Sequence, residues 1–414
     1  MQNKYDVLVN RDDSLAIETI ASKITSLRNV SVEKKGARIF KAGKIYSASV
    51  VGQNSTEQLL QNTEKNAVVG LDYQYELPKN SKFEYRSNDF KELDKAQFVD
   101  EVNEFEKELA TLGNKFVFTG KHKIENWEQH LTSSEGVDSK VQLHMKSMSY
   151  IFKKIGSPNL MDGFFYTAGE TCDIKKSFNK IKPYLEKFDQ EIALPNGEYP
   201  ILIADPESGF YSKLLESFYP HKYFEGTALY SGKIGQKLFH QDFTLIDHAF
   251  LPKYGVVAVC DQEGTKRSNP EHVLIENGVM KNVIADLRYA EKYKIAPTGN
   301  GKRSFDGAAT VGFNAVTMKP GKRSTQTILN ELDKCIVAFM AFGGDFTDSG
   351  DFSTPVHLGF LVEKGKIVGK IPQVTLTTSL NKMFNDSFLE IASDDFFESH
   401  YHPSFFQKVN ILNN

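Results

Sequence analysis

The sequence predicts an α+β protein in two parts, a mixed segment over 1–192 and a strand-rich segment over 193–414. Helix-spaced apolar residues are concentrated in the first part. Short apolar runs separated by glycine-bearing turns dominate the second. The two regimes meet at Ala193-Leu194-Pro195-Asn196-Gly197, a stretch that breaks any regular element.

Taken in order, Ser14 is placed to cap a helix whose Ile17, Ile20, Ile24 and Leu27 share one face. Val30-Ser31-Val32 and the run from Lys44 to Gly52 read as strands. Phe98, Val102, Phe105 and Leu109 predict a second helix, with Gly113 as its end. Val141, Leu143 and Met145 alternate with polar residues, the pattern of a half-buried strand. Asp173 caps a third helix carrying Ile174, Phe178, Ile181 and Leu185, with Pro183 as a kink point. Beyond the break, Ile201-Leu202-Ile203-Ala204 is an apolar strand. Ile275-Glu276-Asn277-Gly278-Val279 and Val362-Glu363-Lys364-Gly365-Lys366-Ile367 each predict a hairpin with a tight turn.

Composition narrows the function classes. Hydrophobic residues make up 40% and charged residues 25%, as in a globular protein, and 414 residues suffice for two cores. Fifty basic and 53 acidic residues leave a net charge of −3, which is no footprint for nucleic acid. Lys34-Lys35 and Lys153-Lys154 read as solvated faces, and the 31 Phe residues as core. No stretch approaches the roughly 20 apolar residues of a membrane span. The polar start, Met1-Gln2-Asn3-Lys4-Tyr5-Asp6, has no signal-peptide core, so a cytoplasmic location is expected. Cys172, Cys260 and Cys335 form no CxxC pair and are expected to be buried, reduced thiols.

Motif by motif, little chemistry survives inspection. Gly301-Lys302-Arg303 and Gly321-Lys322-Arg323 lack the preceding glycine and following hydroxyl of a phosphate loop. Asp345, Asp348 and Asp351 stand three apart, where a calcium loop wants acids two apart and a distal Glu, so they read as a turn. His400 and His402 read as part of a solvated tail, and His240 and His248 as ordinary histidines bracketing an apolar stretch. One cluster stands out: Glu216, His221 and Glu225, in an amphipathic run that starts at Ser208 and is interrupted by Pro220. Metallopeptidases place two His on a helix around a Glu; the imidazoles hold zinc and the Glu takes a proton from the bound water. Here one Glu and one His remain.

Several stretches in order resemble the TldD/TldE (PmbA) family. Ser134-Glu135-Gly136-Val137 is similar to its "NSEGL" turn, and Asp162-Gly163-Phe164-Phe165-Tyr166-Thr167-Ala168-Gly169 to its "GYDYTVG" piece. Gly197-Glu198-Tyr199-Pro200-Ile201-Leu202 resembles the strand entering the second domain. Ile275-Glu276-Asn277-Gly278-Val279-Met280-Lys281 is similar to "IENGVLK", and Thr298-Gly299-Asn300-Gly301-Lys302-Arg303 to "STGNAxR". The longest match runs from Ser349-Gly350-Asp351-Phe352-Ser353 through Gly359 to Ile367, Val374-Thr375-Leu376 and Leu380-Asn381-Lys382-Met383-Phe384. The matches span residues 120–390; the first hundred residues match only in general pattern.

The resemblance implies a two-domain TldD/PmbA-like fold and a subunit that pairs with another. In the family, TldD-type subunits carry an HExxxH zinc motif and a late cysteine ligand. TldE-type subunits lack both and support a complex that cleaves unstructured peptides in a closed cavity, including the leaders of some peptide antibiotics. Laid on this chain, the first motif His falls on Leu215 and the Glu on Glu216. The second His reaches His221 only with a one-residue insertion; otherwise Tyr219 or Pro220 stands there. Glu225-Gly226 matches the following "EG", and no cysteine follows Cys335. The resemblance therefore implies a TldE-like subunit without a catalytic residue, metal or cofactor of its own. Its partner would be a TldD-type catalytic subunit or a second copy, and its substrate an unstructured peptide held by strand addition to a sheet edge. The alternatives are an active zinc peptidase rebuilt on Glu216, His221 and one of Glu225, His240 or His248, or a peptide- or protein-binding homodimer, akin to the family's older description as a modulator of DNA gyrase.

Overall fold

The computed structural model describes residues 3–65, 67–204, 209, 211–397 and 400–413. The first part is a twisted eight-stranded sheet built on very long strands. β1 (Lys4–Ile20), β2 (Lys23–Lys41) and β3 (Lys44–Val51) are followed by α1 (Thr56–Lys65), β4 (Leu71–Asp72), β5 (Lys82–Arg86) and α2 (Lys95–Ala110). Next come β6 (Phe116–Ser133), β7 (Asp138–Lys154), β8 (Gly163–Gly169) and α3 (Ile174–Glu186). The strand order is β4-β3-β2-β1-β6-β7-β5, with β8 also paired to β7.

The helix expected from Ser14 to Leu27 is not formed: these residues are the end of β1, a turn, and the start of β2. β1 is paired on both sides, to β2 and to β6, so its side chains follow the two-residue period of a strand. Leu15 and Ile17 are buried, whereas Ile20 is 51% exposed and Leu27 55% exposed, so the four apolar residues do not form one buried face. β-branched Ile17, Thr19, Ile20, Ile24 and Thr25 favour this outcome locally. Ala21 and Ser22 make the turn with φ of 48° and 62°.

α2 and α3 form as their periodicity predicts. Asp94 caps α2 by accepting from the Gln97 amide, and Asp173 caps α3 by accepting from the amides of Lys175 and Lys176. α2 stops at Ala110 with Thr111 as its cap; Gly113 lies in the turns beyond rather than at the helix end. Val141 to His144 are buried on both faces, because Gln142 and His144 also face covered polar groups: Gln142 donates to Glu128, and Ser87 Oγ accepts from the His144 amide.

After β9 (Gly197–Ile203), the strands close a ring. Cys335–Ala341 runs parallel to β9, and β9 pairs antiparallel with Phe405–Asn413. That strand pairs with Val374–Ser379, which pairs with Asp351–Glu363, which returns to Cys335–Ala341. All seven residues of Cys335–Ala341 are buried, as in a strand covered on both faces. Val337 and Phe339 pack with α2, α3, Phe118 and Phe165 in one core. Ile336 and Ala338 pack with Leu214, Phe218 and Phe243 in the other. The expected hairpins close as predicted, with left-handed Asn277-Gly278 and Lys364-Gly365 at their turns.

His400 and His402 are not in a solvated tail. They precede the strand Phe405–Asn413, which is central in the ring, and their rings stack at 4.7 Å. Burial pushes their pKa values down to about 4 and about 3.

Candidate functional site

The cluster singled out in the sequence sits on the chain leaving β9. The amphipathic run begins at Ser208, which lies outside the described residues; its described part is α4 (Ser212–Glu216), followed by α5 (Pro220–Phe224). Pro220 opens α5 at its first turn, where its missing N–H costs nothing, and so separates the two short helices. Leu214 and Phe218, both fully buried, anchor this corner in the second core. Beyond it, β10 (Leu245–His248) lies between the strands Glu271–Glu276 and Ala315–Met318, and α6 (Leu287–Tyr293) packs against α5.

Glu216, His221 and Glu225 come together on α4 and α5, but each is committed to a different partner. Glu216 lies between two lysines: Lys222 Nζ is 3.1 Å from Oε1 and Lys213 Nζ is 3.2 Å from Oε2. Burial raises its pKa, but the two ammonium groups outweigh this and hold it below the ordinary value. Lys213 also reaches Asp348, in the Asp/Gly turn, at 3.6 Å. His221 stacks on Tyr289 of α6 at 5.3 Å, and its Nδ1 is buried without a hydrogen-bond partner among the described residues. Glu225 accepts from Lys292 Nζ and from the Tyr293 hydroxyl, both at 2.8 Å, and these hold its pKa low.

His240 is elsewhere: its ring stacks on Phe388 at 4.4 Å, and its Nδ1 accepts from the Asp242 amide. His248 lies on β10, 3.9 Å from Glu271. Among the described residues, no three His, Cys, Asp or Glu side chains are grouped to hold a metal. A zinc site of the HExxxH kind does not fit the donor set at this corner. Leu215 offers no ligand and packs against the core, both Glu216 oxygens face ammonium groups, and the His221 ring is held against Tyr289.

The sequence reading passed over two features beside this corner. Asp247, fully buried, accepts from Arg267 Nη2 at 2.6 Å, Asn300 Nδ2 at 2.9 Å and the Asn314 amide at 2.7 Å. This network fixes the segment Thr298–Arg303. The other is the aromatic surface of α6, whose Tyr289 and Tyr293 sit four residues apart on one face. That spacing is visible in the sequence; its position against α5 is not.

Residues 196–411, just over half the chain, match the family model described as the PmbA/TldA metallopeptidase C-terminal domain. The chain belongs to the PmbA/TldD family. Among relatives in this family, a metalloprotease TldD homolog of Buchnera aphidicola is 31% identical over 193 residues, covering 45% of this chain and 39% of that one. A metalloprotease of Archaeoglobus fulgidus is 20% identical over 393 residues, 90% of this chain and 88% of that one. The crystal structure of TldE from Thermococcus kodakarensis superposes with a TM-score of 0.87 at 20% identity, covering 99% of this chain and 97% of that one. The PmbA/TldD fold is thus shared over nearly the whole length. Among the described residues no helix is long and apolar enough to cross a membrane.

Proposed function

We propose that this PmbA/TldD-family protein is a supporting subunit of the TldE kind. It has no zinc site of its own, completes a chamber with a TldD-type catalytic subunit or a second copy, and helps position unstructured peptide for cleavage. The observation that carries this reading is the state of Glu216. It occupies the place of the motif's general base, follows Leu215 rather than a histidine, and is held between Lys213 and Lys222. A base in that setting is a weak proton acceptor, and a carboxylate shared by two ammonium groups is a poor partner for a metal-bound water.

The test is metal content by elemental analysis on chelator-free, tag-free protein, together with cleavage of an unstructured peptide by the chain alone and with a catalytic partner. Near-zero zinc, no cleavage alone, and cleavage restored by the partner support the reading. About one zinc per chain with chelator-sensitive cleavage overturns it in favour of a rebuilt site using Glu216 and His221. Peptide binding with no cleavage under any pairing overturns it in favour of a binding homodimer.

A further inference from the structure

The long sheet is covered unevenly. One face packs under α2 and α3 through Ile17, Phe118, Tyr150 and Phe165. The other face is covered at one end, where Leu8 and Leu131 pack with Val137 and with Cys260 of the second part of the chain. At the far end of the same face, the described residues leave an apolar row open. Ile20 of β1 stands opposite Thr119 of β6, Thr119 opposite Ile151 of β7, and Ile151 opposite Phe164 of β8. Ile20 and Ile151 are exposed, Thr119 and Phe164 half-buried. Val117, two residues along β6 and so on the same face, is exposed as well. The water side of an antiparallel sheet ordinarily carries polar residues. Apolar side chains in register across four strands there mark a contact face.

The turn after β7 adds a knob beside a hole. Leu160 is 97% exposed. Its neighbour Met161 lines a cavity of about 640 Å³, together with Ile151, Phe164, Tyr166, Tyr254 and Tyr401. Two copies related by a two-fold axis can each place Leu160 in the cavity of the other, since such an interface reciprocates every contact.

We propose that the open end of this face, with Ile20, Val117, Ile151, Leu160 and the adjoining cavity, is a contact surface between two copies of this chain. The inference rests on the supporting-subunit reading only in that the chain pairs, and it names the face and the partner. Charge on the face favours a second copy as the occupant. In the row next to Ile20, Glu18 stands opposite Lys121. Both are exposed, and neither makes an ion pair among the described residues. Across a two-fold axis, Glu18 of each copy meets Lys121 of the other, so the row is complementary to itself.

The test is sedimentation velocity on the purified chain alone over a concentration series. The wild type is expected to form a dimer. Leu160→Asp and Ile151→Lys should each raise the dimer Kd roughly tenfold or more, with the melting temperature little changed because both side chains are exposed. Glu18→Lys and Lys121→Glu should each weaken the dimer, and the two together should restore it. Should Ile151→Lys melt early, Leu160→Asp, which lies in the turn outside the sheet, carries the same expectation.

The proposal is overturned if the wild type is monomeric across the series, if folded Leu160→Asp dimerises as the wild type does, or if the double charge exchange dimerises no better than either single one. Zinc content and cleavage, read on the same sample, separate the two readings. A zinc-bearing, cleaving chain whose dimer depends on Leu160 sinks the supporting-subunit reading alone. A zinc-free chain that stays monomeric, and supports cleavage only with a catalytic partner, sinks this one alone.

Discussion

Asp6 and Arg303, 297 residues apart, form a buried ion pair at 2.8 Å. Arg38 of β2 joins from the other side, donating to the same carboxylate through Nη2 at 2.6 Å. The pair ties the first strand of the long sheet to the segment Thr298–Arg303 that the Asp247 network holds from behind. Removing the carboxylate leaves two buried guanidinium groups without their counter-charge. Asp6→Ala should therefore cost about 3–5 kcal/mol of stability, read by urea denaturation. A loss below about 1 kcal/mol would mean that the junction is held by its apolar contacts instead.

The same carboxylate sets an acid limit. Burial raises the Asp6 pKa, but Arg303 and Arg38 outweigh it and hold the value below the ordinary 3.8. A depressed folded pKa contributes stability that is fully present above the unfolded value and is lost as pH falls through 3.8 and below. The acid side of a Tm–pH curve should be flatter in Asp6→Asn than in the wild type.

Glu263 predicts the opposite dependence. Burial and the neighbouring Asp261 carboxylate hold its pKa well above the ordinary 4.5. A raised folded pKa leaves stability intact below 4.5 and erodes it as pH rises towards the folded value. Glu263→Gln keeps an acceptor for the Leu287 amide and removes the ionisation. It should stabilise the protein by about 1–3 kcal/mol at pH 8 and by nothing near pH 4, measured as Tm across that range. A pH-independent difference would show that Glu263 is ionised throughout.

Two glycines at turns should respond differently to substitution. Gly278 has φ 80°, and a Cβ there would clash with the Phe239 carbonyl oxygen. Gly43 has φ 73°, and a Cβ there would meet nothing within 4 Å among the described residues. Gly278→Val should cost about 3 kcal/mol or more, whereas Gly43→Ala should cost only the left-handed strain, about 1–2 kcal/mol. Equal losses in thermal melts would show that the contact at Gly278 relaxes freely.

At the α4–α5 corner, Glu216→Ala should leave any peptidase activity of a complex nearly unchanged. Loss of a working general base would lower it roughly 10²–10⁴-fold. Stability should change by less than about 1 kcal/mol, because the lysine pairs are only partly screened from water. A large drop in rate without unfolding would return Glu216 to the chemistry.

What was legible in the sequence followed its local physics. α2 and α3 announce themselves by one apolar face, and α3 also by the aspartate at its start. The Asn277-Gly278 hairpin is written in its turn residues. The β1–β2 hairpin was hidden because Ala21-Ser22 is an unusual left-handed turn, and because Ile17, Ile20, Ile24 and Leu27 imitate a helix across two strands. The Glu216–His221–Glu225 cluster was visible as residues, but its character depends on partners the sequence does not place. Lys213 and Lys222 converge only because Pro220 breaks the helix, and Tyr289 arrives from α6. His400 and His402 were misread for a related reason, since whether they meet water depends on the strand that follows them.

The closed ring of strands also constrains how this protein reaches its fold. β9 is bordered on one side by Cys335–Ala341 and on the other by Phe405–Asn413. During synthesis, both of its hydrogen-bonding edges therefore stay open until residues far downstream have been made. An apolar strand in that condition is a template for pairing with the wrong chain, and non-local closure of this kind is slow. The barrel half of the molecule is thus where folding is slowest and most exposed to aggregation, while the long meander of β1, β2 and β3 pairs early through its short turns.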